Sequence, residues 1–191
     1  MYGMVNQAIE DLVIETAGED AWREIKEHAG LAENGFESSV IYDDEVTLSL
    51  VAAASEKLKL PPEQILHAFG RHWILYTGRE GWSSVFEMTG YDMESFLDGL
   101  DEMHARVRVA MSEADTPQFT LHRESDHLSL EYHSNRDGLA PMVNGLLEGL
   151  AEHFDEHWSI QHTGQRAEDG FDTFRLRQIA TATGSTDAKA A

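Results

Sequence analysis

Apolar residues recur at three- and four-residue steps through most of the first 115 positions, which predicts a run of amphipathic helices. Val5, Ile9, Leu12, Val13 and Thr16 share one face of a helix over residues 2–17, closed by Gly18. A second helix spans about 19–28 with Trp22 and Ile25 inward, and Gly30 stops it. Residues 33–43 read as a loop. Val46, Leu48, Leu50, Val51, Ala54 and Leu58 mark a third helix over 44–59, which Pro61 and Pro62 break. A fourth runs from Pro62 toward Gly78 through Ile65, Leu66, Phe69, Trp73 and Ile74, and a short one covers 82–89. The longest stripe, Met93, Phe96, Leu97, Leu100, Met103, Val107 and Met111, ends at Ala114-Asp115-Thr116-Pro117.

Beyond Pro117 the period falls to two. Phe119, Leu121 and Arg123 alternate, as do Leu128, Leu130, Tyr132 and Ser134, with Glu124-Ser125-Asp126 as the hairpin turn. Met142, Val143, Leu146, Leu147, Leu150 and Phe154 predict a helix over 139–157. Strands follow at 158–163 and 171–179, joined by the polar loop Gly164–Gly170. The last eleven residues, TATGSTDAKAA, are small and polar and are expected to be disordered. The fold class is α+β: a helical N-terminal part, then a long helix and a four-stranded antiparallel sheet.

Composition narrows the function classes. Fourteen basic against 35 acidic residues give a net charge of −21, which disfavours nucleic acid and anionic membrane. Cysteine is absent, so disulfides, thiolate nucleophiles and Cys-ligated zinc or iron–sulfur centres are excluded. No apolar run approaches the ~20 residues of a membrane span, and the N-terminus lacks a signal-peptide pattern. A cytoplasmic location is expected.

Two constellations carry chemistry. His104 falls on or beside the apolar stripe of the long helix, four residues past Leu100. A core histidine satisfied by hydrogen bonds and a metal ligand both explain it. Tyr132, Ser134 and Arg136 follow one another at two-residue spacing where a strand turns toward a helix. Two hydroxyls and a guanidinium converging on one point form a carboxylate or phosphate clamp. Two lesser signals read as surface. His153 and His157 stand at i and i+4 but lack the order of a zinc-protease motif, and His122 and His127 could pair across the hairpin.

The helix histidine, a proline thirteen residues later and Y-x-S-x-R in the following hairpin together resemble the H-NOX family of haem nitric oxide/oxygen-binding domains. The Met-Tyr-Gly start, A-F-G-R at Ala68–Arg71, D-E-M-H at Asp101–His104 and N-G-L-L-E-G at Asn144–Gly149 resemble it too. The resemblance implies one haem domain over 1–180, with a helical part of about 1–60, a haem-ligand and sheet part of about 61–180, and a tail at 181–191. It implies that His104 is the proximal ligand of a b-type haem iron. Tyr132, Ser134 and Arg136 would hold the propionates, and Pro117 and Val5 would pack against the macrocycle. The distal positions map to Ile9, Trp73 and Met142, with Pro141 as the alternative alignment. Only Trp73 among the distal residues carries a donor, and it is expected to pack rather than donate. The resemblance therefore implies binding of nitric oxide and carbon monoxide with exclusion of oxygen.

It also implies that nitric oxide weakens the iron–His104 bond, so that the histidine helix relaxes. A separate signalling partner is then expected: a histidine kinase, a cyclic-di-GMP enzyme (diguanylate cyclase or phosphodiesterase) or a chemotaxis receptor. The likeness extends to the regulatory domain of soluble guanylate cyclase, and no catalysis by this chain is expected. Two other classes fit the bare residues: an enzyme using His104 as general base with the clamp holding an acid substrate, and a haem-free binder of an apolar carboxylate.

Overall fold

The computed structural model describes residues 1–31, 35–77 and 83–179. The tail expected at 181–191 lies outside the described residues, as do Trp82 and part of the 33–43 loop. In chain order the elements are α1 (Gly3–Ala17), α2 (Glu19–His28), α3 (Asp44–Leu58), α4 (Pro62–Thr77), α5 (Ser83–Thr89), α6 (Met93–Ala110), β1 (Gln118–Arg123), β2 (Leu128–His133), α7 (Ala140–His153), β3 (Trp158–Gly164), α8 (Arg166–Asp169) and β4 (Asp172–Gln178).

The sheet runs β1-β2-β4-β3, antiparallel throughout. Its register aligns Leu121 with Leu130 and Leu130 with Phe174. Those side chains point to one face, and along β2 buried Leu128, Leu130 and Tyr132 alternate with half-exposed Ser129, Glu131 and His133 on the opposite face. The inward face packs on Phe96, Leu97 and Leu100 of α6 and on Val143, Leu147 and Leu150 of α7.

A second apolar cluster joins α1, α2 and α3 through Ile9, Val13, Trp22, Ile25 and Leu50. It is completed by Ile65 and Phe69 from α4, while Ile74 further along the same helix belongs to the sheet-side cluster. Leu66, Trp73 and Met142 pack against both. Within this second cluster, between α1 and α3, Thr47 donates to Asn6 Oδ1 across 2.7 Å, with both residues buried.

Three features differ from the sequence reading. α7 ends at His153 instead of 157, because Asp155 adopts a left-handed φ of 54° that turns the chain into β3. The expected polar loop before β4 contains the single helical turn α8, closed by Gly170 at φ 84°. Leu48, expected inward on α3, is half exposed, and Thr47 and Ala53 are buried in the face it was assigned to share.

Candidate functional site

A mainly apolar cavity of about 610 Å³ lies between the two clusters, within the size range of small-molecule sites. α1, α3, α4, α6, α7 and the inner face of the sheet wall it. Every residue assigned a role from the sequence borders it: His104 and Pro117; Tyr132, Ser134 and Arg136; Val5, Ile9, Trp73 and Met142. Met142 rather than Pro141 lines it.

The first half of α6 fixes His104. Ser95 N–H donates to Asp92 Oδ1 (2.7 Å) and Asp92 N–H to Ser95 Oγ (3.2 Å), a reciprocal cap that starts the helix. Met93, Phe96, Leu97 and Leu100 then bury the same face. One turn later His104 reaches the cavity wall with Nδ1 buried and without a hydrogen-bond partner. The Phe119 ring stacks on the imidazole with centroids 5.8 Å apart and 29° between planes, and Phe119 in turn meets Tyr132 at 5.4 Å. Asp101, one turn before His104, accepts the Phe119 N–H at 3.0 Å and so ties α6 to β1.

Burial pulls the His104 pKa below its ordinary value. The Asp101 carboxylate opposes this, the Arg108 charge adds to it, and hydrogen bonding of the ring to the Pro117 backbone opposes it. The ring is therefore neutral at physiological pH, the form in which an imidazole nitrogen coordinates a metal. A buried, partnerless nitrogen also carries a desolvation penalty that coordination would relieve.

The rim of the cavity is polar. Burial raises the pKa of the Tyr132 hydroxyl, against a hydrogen bond with Ser134 and the positive charges of Arg136 and Arg166. Ser134 Oγ accepts the Arg136 N–H at 3.1 Å. Burial disfavours the Arg136 charge, but Asp44 and Asp115 more than restore it, and its pKa stands above the ordinary value. Arg136 Nε lies 2.6 Å from Asp44 Oδ2, and its Nη1 donates to the Asp115 carbonyl at 2.9 Å. Asp44 also receives the N-terminal ammonium at 2.9 Å. This polar cluster thus draws on α3, on the segment before Pro117 and on the strand β2. The sequence reading gave neither Asp44 nor Phe119 a role in the site. Only the i−3 spacing of Asp101 from His104 was there to be noticed.

A family model described as haem-NO-binding matches residues 2–162. The chain belongs to that family. The soluble guanylate cyclase gcy-35 of Caenorhabditis elegans is 30% identical over 184 residues, 94% of this chain and 27% of that protein. The cyclase gcy-34 of the same organism is 32% identical over 157 residues, 80% of this chain and 23% of that protein. The chain therefore spans about a quarter of the length of these relatives. The fold is that of solved H-NOX proteins. An H-NOX protein from S. oneidensis in the Fe(II)NO state superposes with a TM-score of 0.83 at 22% identity, covering 94% of this chain and all of that one. An unliganded Fe(II) H-NOX protein from K. algicida gives 0.79 at 18% identity, covering 95% and 98%.

Two segments that resembled the H-NOX family have a packing explanation. Gly70 of α4 and Gly145 of α7 let the two backbones touch over the cavity. A Cβ on Gly145 would stand 2.0 Å from the His67 carbonyl oxygen, and one on Gly70 2.0 Å from that of Met142. The crossing is flanked by the ion pair between Arg71 and Glu152 and by the contact of His67 Nε2 with Glu148 Oε2 at 3.1 Å. Gly3 of the Met-Tyr-Gly start is similarly constrained, since a Cβ there would meet the Glu37 carbonyl at 2.1 Å. Of the histidines set aside as surface residues, His122 pairs with Glu131 and His127 with Asp126 rather than with each other, and His153 packs edge-on against Phe86. Among the described residues no group of three or more His, Asp or Glu is placed to hold a metal. No described helix is long and apolar enough to cross a membrane.

Proposed function

We propose that residues 1–180 form one haem-based gas-sensing domain, in which His104 ligates the iron of a b-type haem and Tyr132, Ser134 and Arg136 hold its propionates. The observation that carries this is the pairing of the partnerless His104 nitrogen with a hydroxyl and guanidinium rim on one apolar cavity. Haem asks for both at once, an iron ligand and neutralisation of two acid groups. Pro117 and Val5 pack against the macrocycle. When bound, the haem supplies a ferrous centre that takes a diatomic gas.

The chain sets which gas is held. Bound oxygen needs a nearby donor, whereas nitric oxide and carbon monoxide do not. Ile9 and Met142 have no donor, and Trp73 packs on Phe69 with ring centroids 6.0 Å apart. This supports nitric oxide and carbon monoxide as ligands, with oxygen excluded. Release or reorientation of His104 is transmitted by α6, whose partners at Phe119 and β1 sense the change. The domain regulates a separate cytoplasmic signalling partner, such as a histidine kinase, a cyclic-di-GMP enzyme or a chemotaxis receptor, and catalyses nothing itself.

The test is spectroscopic. Protein purified in the reduced state should show a Soret band that shifts with nitric oxide and with carbon monoxide but not with air. A colourless protein after expression with ample haem overturns the cofactor, and a stable oxy spectrum overturns the selectivity. His104→Gly should lose the pigment unless imidazole is supplied.

A further inference from the structure

The clamp has a reverse side. β2 ends at His133, so the carbonyls of Ser134 and Arg136 lie beyond the sheet ladder. Arg166, the first residue of α8, reaches them from outside the cavity. Its Nη1 donates to the Ser134 carbonyl and, at 3.2 Å, to the Arg136 carbonyl. Its Nε pairs with Asp137 Oδ1 at 3.0 Å. Its own N–H points to Asp172 Oδ1 at 3.4 Å, which His162 Nε2 also meets at 2.8 Å. Asp172 is buried, so α8 is tied to the interior of the sheet.

Resting on the haem reading above, we propose that Arg166 is a positioning residue of the carboxylate clamp, holding the 134–136 turn from behind so that the Ser134 hydroxyl and the Arg136 guanidinium face the cavity. The turn carries two of the three clamp side chains, and no strand pairing fixes it. Arg136 is also pulled sideways by Asp44 and Asp115. A planar fork of donors grips two carbonyls and a carboxylate together, which a single ammonium does not reproduce.

A double-mutant cycle on the haem-loaded chain tests this, with haem loss to an excess of haem-accepting globin as the readout and apoprotein melting recorded for each variant. Arg166→Ala should speed haem loss about tenfold, the scale of one charge-assisted contact. Arg136→Ala/Arg166→Ala should speed haem loss by clearly less than the product of the two single effects, because Arg166 acts in part through Arg136. Arg166→Lys keeps the charge and should restore only part of the retention. If Arg166→Ala does not fold, the same cycle is run with Arg166→Lys. Haem loss at the wild-type rate, or single effects that multiply in the double variant, overturns the proposal. Wild-type protein that takes up no haem overturns the function reading itself, and this one with it.

Discussion

Replacing Gly145 by alanine puts a methyl group into the seam between α4 and α7. In an exposed helix interior this change stabilises by about 1 kcal/mol, since alanine is the better helix former. Here the new Cβ would sit 2.0 Å from the His67 carbonyl oxygen, 2.9 Å from its carbon and 3.0 Å from the Arg71 nitrogen. All three are backbone atoms inside a helix and cannot rotate away. Restoring an ordinary contact requires the helices to part by about 1.5 Å locally, toward the ~3.5 Å separation of packed atoms. Overpacking of this kind costs about 3 kcal/mol when rigid groups must move. The net expectation is a loss of about 2 kcal/mol, or a melting temperature lower by roughly 4–8 °C for a chain of this size. Urea and thermal denaturation of the apoprotein measure it without reference to any ligand. Gly149→Ala serves as the graded comparison, because its nearest contacts are 2.9 and 3.0 Å, and it should lose clearly less. A Gly145→Ala protein as stable as the parent, or more so, would refute the claim that the two backbones touch.

Asp44→Asn should weaken the protein by up to ~1 kcal/mol at neutral pH, the usual range for a partly exposed ion pair. The hydrogen bond from Arg136 holds the Asp44 pKa below its ordinary 3.8, burial opposes this, and the N-terminal ammonium adds to the lowering. The contribution is therefore complete above about pH 3.8 and lost as pH falls through the folded-state value. Urea titrations at descending pH should show a shallower acid decline in the variant, and parallel curves would contradict the link. Thr47→Val should cost about 1–3 kcal/mol by leaving the buried Asn6 oxygen without its donor. Adding Asn6→Leu should recover most of that loss in the same denaturation assay, whereas a further drop would contradict the pairing.

The parts legible from sequence were those in which one local period decided the outcome. Met93 to Leu100 announced α6, and the alternation through Leu128, Leu130 and Tyr132 announced β2 with its inward face correct. That Tyr132, Ser134 and Arg136 border one cavity together was legible because they share a strand-like spacing. Features that depend on distant chain were hidden. Arg136 and Asp44 are 92 positions apart, and nothing near either one names the other. Leu48 was misassigned because the helical period marks a stripe without saying that the stripe opens onto a cavity mouth. α8 is four residues of polar chain, too short for periodicity to register. The end of α7 was misplaced because the turn is made by Asp155 rather than glycine, so the usual punctuation was missing.

α4 contributes Ile65 and Phe69 to one apolar cluster and Ile74 to the other, with Leu66 and Trp73 touching both. Neither half is therefore self-sufficient. A fragment cut at Leu60 would leave the three leading helices with an uncovered apolar surface and deprive the rest of its lid, so the chain should melt as one cooperative unit. The same helix acts as a shared beam: strain introduced on the sheet side has a rigid path to the amino-terminal helices, with no hinge interposed along its sixteen residues.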